Sequence, residues 1–215
     1  MSYHYVIFDL DGTLLSTLSD IRASLNHTLA LYGLRLQTEA EVRAHVGNGS
    51  GRLVELSIPG GREHPRYGDI LRDYNAWSPA HCRIETRPYD GVPELVDHLL
   101  SAGRRCAIVS NKPDAAVKSL AAELFPGRMD VAVGDSPEMR RKPAPDTVRK
   151  ALELLGAEER DAVYVGDSEV DVATAGNAGL ACISVTWGFR TREQLLAAGA
   201  STLADTPEQV LSLIL

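Results

Sequence analysis

The chain has 215 residues, a formal net charge of -7 and an ordinary balance of hydrophobic and charged residues. This length is enough for one sizeable core, or for a core with a small inserted domain. The acidic balance argues against general nucleic-acid binding through a basic surface. No apolar run approaches the ~20 residues that cross a bilayer, and no basic and apolar leader precedes the first strand, so we expect no membrane association.

The three cysteines are widely spaced and include no C-x-x-C pair. Cys106 and Cys182 lie in apolar runs of the kind that form strands, whereas Cys82 lies in a more polar stretch. We therefore expect buried free thiols rather than disulfides, which suits a reducing cytoplasm.

The first predicted strand, residues 5–8, runs into the sequence Asp-Leu-Asp-Gly-Thr at residues 9–13. An apolar run followed by Asp-Gly-Thr is typical of a strand that leads into a tight turn, although Asp-x-Asp alone could be an exposed turn. Strand alternation places Asp9 and Asp11 on the same side. Two such close carboxylates repel each other unless a cation or a proton relieves the charge. The pair therefore indicates a divalent metal with oxygen ligands or an acid/base pair.

The next stretch, residues 16–83, has helical spacing and no clear strand. Its predicted helices cover residues 18–32, 38–46, 52–58 and 67–77. Thr38 followed by Glu41 is a capping-box pattern. Because this stretch leaves after the first strand and returns before residue 88, we expect an inserted all-helical domain joined to the core by two linkers.

After the insert, short apolar runs alternate with helical patterns. The predicted strands cover residues 105–109, 129–133, 162–165 and 180–185, and the predicted helices include 113–124 and 145–155. Near-continuous apolar strands suit a parallel sheet that is covered on both faces. The alternation predicts an α/β fold with a doubly wound parallel sheet, a Rossmann-like core made of residues 1–15 and 84–215.

Polar residues follow the predicted strands at residues 105–109 and 129–133, at the sheet edge where open α/β sheets bind ligands. Ser110 and Asn111 precede a predicted helix, so they could bind an anion or could simply cap the helix. Lys142 is followed by two prolines that stiffen its loop. It could neutralise a carboxylate and a phosphate together, or it could belong to a solvated basic run.

Asp167 and Asp171 follow the fourth of the predicted strands. Asp167 could aim its carboxylate at the first acidic pair, whereas Ser168 with Asp171 three residues later could start a helix. Taken together, an acidic pair, a hydroxyl, a lysine and an acidic cluster follow four strands of one predicted sheet. Such a combination indicates a functional site more strongly than any single motif.

In this order the motifs resemble those of the haloacid dehalogenase superfamily of phosphohydrolases. The matching segments are residues 9–13, Ser110-Asn111, Lys142-Pro143 and 166–171, and the resemblance covers the core from residue 5 to residue 185. The helical insert, residues 16–83, resembles the small cap domain of that family. Residues 46–49, 110–112 and 165–179 are most similar to the phosphoglycolate phosphatases within the superfamily.

The resemblance implies Mg²⁺-dependent hydrolysis of a phosphomonoester through an aspartyl-phosphate. Asp9 would be the nucleophile, and Asp11 would protonate the leaving oxygen and then deprotonate water. Mg²⁺ would be held by Asp9, the backbone carbonyl of Asp11 and Asp167. Lys142 would neutralise the nucleophile and the phosphate, and Asp171 would orient Lys142 or a metal-bound water.

The implied substrate is a small phosphorylated metabolite such as 2-phosphoglycolate. Gly12, Thr13, Ser110 and Asn111 would contact its phosphate. Arg52, which follows a glycine-rich sequence in the insert, could meet a small carboxylate or could remain a solvated arginine. The implied protein is a cytoplasmic monomer or homodimer that binds neither nucleic acid nor membrane.

Other functions remain open at the level of sequence. Within the superfamily they are a pyrophosphatase, a sugar-phosphate phosphatase and a phosphoglucomutase. A phospho-accepting signalling domain also combines acidic residues, a hydroxyl and a lysine on a parallel sheet. It is disfavoured because such domains usually carry the acceptor on a later strand and have no helical insert after the first one.

Overall fold

The computed structural model describes residues 3–215 and separates the chain into two compact units. One unit combines the chain up to Leu15 with Pro88–Leu215, and the other is Ser16–Arg87. The strands in chain order are β1 (Tyr5–Phe8), β2 (Leu15–Ser16), β3 (Arg87–Pro88), β4 (Arg105–Pro113), β5 (Val131–Asp135), β6 (Ala162–Gly166), β7 (Ala181–Val185) and β8 (Leu203–Ala204). The α-helices are α1 (Leu18–Leu31), α2 (Glu39–His45), α3 (Gly49–Ser57), α4 (Tyr67–His81), α5 (Val92–Ser101), α6 (Asp114–Leu124), α7 (Asp146–Leu155), α8 (Glu169–Ala178), α9 (Arg192–Ala197) and α10 (Pro207–Ile214).

The larger unit is built on a six-stranded parallel sheet with the order β5-β4-β1-β6-β7-β8. The chain runs outward from β1 through β4 to β5, and then returns to place β6 on the other side of β1. The strand order therefore reverses at β1, which is where open α/β sheets form their ligand crevice. The doubly wound α/β fold expected from the sequence is confirmed.

Alternating side chains of the central strands enter two different clusters. Val6 and Phe8 of β1 pack in one cluster with Ile108, whereas Ile7 packs in the other with Tyr164. All five side chains are at most 1% exposed. Burial on both faces explains why the strands read as continuous apolar runs.

β4 ends later than the sequence indicated. It continues to Pro113, so Ser110 and Asn111 lie within the strand and α6 begins only at Asp114. The pairing between β4 and β5 shifts register between Val109 and Pro113. This bulge ends the apolar pattern without ending the strand, which is why the predicted strand stopped at residue 109, whereas the helix begins one residue after its predicted start.

The smaller unit is helical and contains α1 to α4. The capping box is confirmed: Thr38 N donates to Glu41 Oε2 over 2.8 Å, and Glu41 N donates to Thr38 Oγ1 over 3.3 Å. α3 begins at Gly49, three residues before its predicted start, so Arg52 is helical. The helix itself was predicted, but the low helix propensity of Gly49 and Gly51 hid its first three residues.

A buried carboxylate explains why the helical unit extends to Arg87 rather than to residue 83. Asp20 is 2% exposed and accepts hydrogen bonds from the backbone N–H groups of Ile84, Glu85 and Thr86, at 3.0, 3.0 and 2.9 Å. These bonds hold the returning segment within the helical unit.

Two further expectations concern the whole chain. The three cysteines are free; Cys82 and Cys106 are buried, and Cys182 is partly exposed. Burial raises the pKa of the Cys106 thiol to about 12. Among residues 3–215, none of the helices combines the length and the apolar character that a bilayer crossing requires.

Candidate active site

The predicted site residues of the core gather at the carboxyl edge of the sheet, around the reversal point. Asp9 follows β1, and its backbone N–H continues the ladder by donating to Val165 O of β6 over 2.9 Å. Asp167 follows β6, and Asp171 lies in the first turn of α8. Lys142 comes from the loop between β5 and α7.

Lys142 joins three of these groups. Its Nζ lies 2.7 Å from Asp9 Oδ1, 2.9 Å from Asp171 Oδ1 and 2.9 Å from the hydroxyl of Tyr164. The Tyr164 hydroxyl in turn donates to Asp171 Oδ1 over 2.9 Å. All four side chains are buried, and the three acceptors use the three donors of the ammonium group. The lysine is therefore a fixed part of the centre and not a solvated basic residue.

The electrostatics of the centre differ from group to group. Burial favours the neutral amine, but Asp171 and Asp9 more than offset it and raise the pKa of Lys142. Burial, together with repulsion from Asp171 and Asp167, raises the pKa of Asp9 well above its usual value despite the attraction of Lys142. Burial also acts on Asp171, yet Lys142, Ser168 and Tyr164 keep its pKa below the usual range. Asp171 is thus the permanent counterion of the lysine.

Asp171 fills both roles that the sequence left as alternatives. Its Oδ2 accepts from Ser168 N over 3.0 Å and from Ser168 Oγ over 2.6 Å, which caps the start of α8. Its Oδ1 accepts from Lys142 and Tyr164. The same carboxylate therefore begins the helix and orients the lysine.

Asp167 is held by two neutral donors. Thr13 Oγ1 donates to its Oδ1 over 2.9 Å, and the backbone N–H of Phe189 donates to its Oδ2 over 2.7 Å. Burial and repulsion from Asp171 raise the pKa of Asp167 to about 7, even though both hydrogen bonds lower it. A nearby cation would therefore favour the ionised form of this carboxylate at neutral pH.

Two glycines make room for Asp167. Gly12 has φ +94°, and a Cβ at this position would collide with the Asp167 carboxylate. A Cβ at Gly188 would collide with the same side chain and with the backbone oxygen of Gly12. Gly12 and Thr13, predicted to contact substrate, therefore both border Asp167.

The acidic cluster can accommodate a divalent cation. Asp9, Asp167 and Asp171 each offer a carboxylate oxygen, and these oxygens lie within 4.8 Å of one another. When all three carboxylates are ionised, the single ammonium of Lys142 leaves two negative charges unbalanced. Asp11, predicted to use its backbone carbonyl, has its side chain paired with Lys112, whose Nζ lies 3.0 and 3.2 Å from the two carboxylate oxygens.

The two polar residues of β4 have different partners. Asn111 Nδ2 donates to the backbone oxygen of Lys142 over 3.1 Å. Asn177 Nδ2 supports the same loop by donating to Pro143 O over 2.8 Å. Ser110 Oγ accepts from Lys112 N over 3.2 Å, and its O–H can still donate to a bound anion.

Arg52 lies in the helical unit, on α3. Its Nη1 is 2.7 Å from Glu55 Oε1, and 47% of its side chain is exposed. Glu55 also pairs with Arg62 over 2.9 Å. The contact of Arg52 with a substrate carboxylate stays a prediction.

Sequence reasoning missed several contacts of the site. Tyr164 lies inside an apolar strand; its hydroxyl was a usable signal, because a buried tyrosine hydroxyl requires a partner. Phe189 contributes only its backbone N–H to the site, and no sequence pattern predicts a backbone donor of this kind. Trp187 Nε1 donates to Thr13 O over 3.0 Å, which ties the loop after β7 to the loop after β1.

The fold and the site together define an α/β protein with a buried carboxylate–lysine pair and an acidic cluster at the reversal point of the sheet. Residues 6–185 match the family of haloacid dehalogenase-like hydrolases. The chain belongs to this family and is a phosphatase, which confirms the predicted family and excludes the phospho-accepting signalling domain.

Similar proteins cover most of the chain. It is 32% identical to a phosphoglycolate phosphatase of Aquifex aeolicus over 86% of this chain and 85% of the relative. It is 29% identical to an N-acetylmuramic acid 6-phosphate phosphatase of Pseudomonas aeruginosa over 97% of this chain and 93% of that protein. A crystal structure from Lactobacillus delbrueckii subsp. bulgaricus, provisionally assigned as a phosphoglycolate phosphatase, has a TM-score of 0.96 and 34% identity, covering 100% and 99% of the two chains.

Proposed function

We propose that the chain hydrolyses a small phosphomonoester, 2-phosphoglycolate in particular, through a phosphoaspartate at Asp9 with Mg²⁺ as cofactor. One observation carries this proposal: Lys142 holds Asp9 Oδ1 at 2.7 Å, within a buried acidic cluster. A lysine in this position keeps one carboxylate oxygen in place while the other can attack phosphorus. A purely structural ion pair would gain little from such a position, because burying the charges costs more than exposed pairing.

In the first step, an oxygen of Asp9 forms a bond to phosphorus as the bond to the leaving oxygen breaks. Asp11 gives its proton to that leaving oxygen. In the second step, Asp11 takes a proton from water, the water oxygen bonds to phosphorus, and the bond from Asp9 to phosphorus breaks. Inorganic phosphate leaves and Asp9 is restored. Lys142 offsets the negative charge that gathers on Asp9 and the phosphoryl group.

The acidic cluster fits a hard divalent cation. Asp9, Asp167 and the backbone carbonyl of Asp11 would hold it. Asp171 is the poorer ligand because its two oxygens already accept five hydrogen bonds, whereas those of Asp167 accept two. When bound, Mg²⁺ neutralises phosphate oxygens and screens their repulsion from the nucleophile. The two donors on Asp167 would fix the orientation of its carboxylate.

The helical unit, Ser16–Arg87, is proposed to act as the cap that excludes water during the reaction. Its connection through two short linkers, β2 and β3, supports such a role.

The substrate assignment is supported by relatives named phosphoglycolate phosphatase. A sugar phosphate is the second candidate, because a relative of similar identity is named for N-acetylmuramic acid 6-phosphate. Both compounds carry a carboxylate in addition to their phosphate. The test is phosphate release with Mg²⁺ from these two compounds, pyrophosphate, nucleotides and p-nitrophenyl phosphate, with detection of isomerised sugar phosphates to reveal a mutase. A kcat/KM for phosphoglycolate at least ~10-fold above the others supports the assignment, and a higher value for another member replaces it.

Asp9→Asn is expected to abolish turnover while leaving the fold intact. The amide has the same shape but is a far weaker nucleophile, so kcat should fall by about 10³-fold or more. Phosphate release and circular dichroism of the two proteins check this. Turnover near the wild-type rate in Asp9→Asn would refute the phosphoaspartate.

A further inference from the structure

Lys112, the second lysine of the site, pairs with Asp11, the residue proposed to transfer protons. Lys112 Nζ lies 3.0 Å from Asp11 Oδ1 and 3.2 Å from Asp11 Oδ2, so it contacts both carboxylate oxygens. The two side chains retain 12% and 20% exposure. In this arrangement the ammonium of Lys112 engages both carboxylate oxygens of Asp11.

Lys112 lies within the bulge of β4. The pairing register shifts between Val109 and Pro113, and bulges re-aim the side chains of the residues they contain. Gly134 lets the bulged backbone come close, since a Cβ there would lie 2.7 Å from the backbone oxygen of Lys112. The position of Lys112 is therefore built into the sheet.

Lys112 differs from Lys142 in how easily it can change partners. Lys142 has two carboxylates and a tyrosine hydroxyl around it, and only 2% of its side chain is exposed. Lys112 contacts the Asp11 carboxylate, and 12% of its side chain is exposed. An incoming anion can take the place of that carboxylate, and the exchange leaves the charge around the ammonium unchanged.

We propose that Lys112 binds a second anionic group of the substrate and, in doing so, releases Asp11 for proton transfer. The inference rests on the proposed function and narrows it to small phosphomonoesters that carry a second negative group, such as a carboxylate. Such a substrate is favoured in two ways. It gains a charge-assisted hydrogen bond from Lys112, and it frees the Asp11 carboxylate to take up a proton from solvent water and to deliver that proton to the leaving oxygen. An ester with a neutral tail leaves Asp11 paired with Lys112, so we expect a lower kcat and a higher KM for it.

The test compares 2-phosphoglycolate with ethyl phosphate, which has a similar size and a neutral tail. In Lys112→Gln, kcat/KM for phosphoglycolate should fall at least ~10-fold further than kcat/KM for ethyl phosphate. Lys112→Arg, which keeps the charge, should recover much of that difference. Lys118→Gln is the matched control, because Lys118 pairs with Asp114 over 2.7 Å on the surface of α6, and the ratio of the two substrates should not change.

A binding measurement separates this inference from the proposed reaction. In the Asp9→Asn background, calorimetry with phosphoglycolate should show ~10-fold weaker binding when Lys112→Gln is added, and a smaller change with ethyl phosphate. This result would uphold the role of Lys112 even if the wild-type chain hydrolysed neither compound, which would overturn the proposed function alone. Equal losses for the two substrates, in turnover and in binding, would overturn the role of Lys112 and leave the phosphatase assignment standing.

Discussion

Charged side chains are used differently in the two units. In the helical unit, pairs such as Arg35 with Glu41 and Arg62 with Glu55 lie at the surface, where the arginines are 68% and 66% exposed. At the sheet edge of the larger unit, Lys142 is paired while only 2% of its side chain is exposed. Exposed pairs contribute little to stability, whereas a buried charge is costly unless its partners are complete. The buried charges of the larger unit therefore depend on complete pairing, whereas the exposed pairs of the helical unit do not.

The helical unit has its own buried carboxylate, Asp20, but neutral donors satisfy it. Three backbone N–H groups from residues 84–86 surround it. A carboxylate that accepts hydrogen bonds from backbone N–H groups holds a segment in place. At the sheet edge, by contrast, the negative charge of the carboxylates is only partly balanced by Lys142. Only the second arrangement favours a bound cation.

The largest expected effect comes from removing the buried ammonium. Lys142→Met leaves Asp9 and Asp171 without their cation and should lower the free energy of unfolding by about 3–5 kcal/mol. The loss should be greater at pH 8 than at pH 5, because protonation relieves the two carboxylates at low pH. Urea denaturation measures it, with Arg62→Ala as the surface control. Equal, small losses for both variants would contradict the contrast between the two units.

The next effect concerns the metal and pH. In the absence of a cation, burial and Asp171 raise the pKa of Asp167 to about 7, so below pH 7 Mg²⁺ must displace a proton. Its affinity should fall as the pH decreases, approaching ~10-fold per pH unit. Calorimetric titration between pH 5.5 and 8 measures this dependence.

Thr13→Val sharpens the same prediction. The Thr13 hydroxyl stabilises the charged form of Asp167, so its removal should raise the pKa of Asp167 further and move the fall in affinity to higher pH. A Mg²⁺ affinity that is the same from pH 5.5 to 8 would show that Asp167 is not a ligand.

The smallest expected effect on stability lies in the helical unit. Arg52→Ala should change the free energy of unfolding by less than about 1 kcal/mol, because its pair with Glu55 is exposed. If Arg52 also meets the substrate carboxylate, KM for phosphoglycolate should rise more than KM for ethyl phosphate. Arg62→Ala is the matched control, since Arg62 pairs with the same Glu55. The same rise in KM for both substrates would remove Arg52 from the site.

Much of the fold was predictable because burial leaves a direct trace in the sequence. β1, β6 and β7 were located to within a residue or so, because strands covered on both faces must be apolar throughout. β8 has only two residues and therefore left no periodic pattern. The predicted strand for β4 was too short, because the strand continues through the polar residues Ser110, Asn111 and Lys112, where its pairing with β5 shifts register.

The site divides in the same way. The sequence by itself determined which reactive groups follow which strands: Asp9, Asp167 and Lys142 were identified because charged residues that follow apolar strands stand out. Only the tertiary structure decided their partners: Tyr164 on Lys142, the backbone N–H of Phe189 on Asp167, and Lys112 on Asp11. Those contacts join residues 22 and more positions apart, and they depend on strand order, register and a bulge. Chemical identity is a local property of the chain, whereas pairing is set by how distant segments pack.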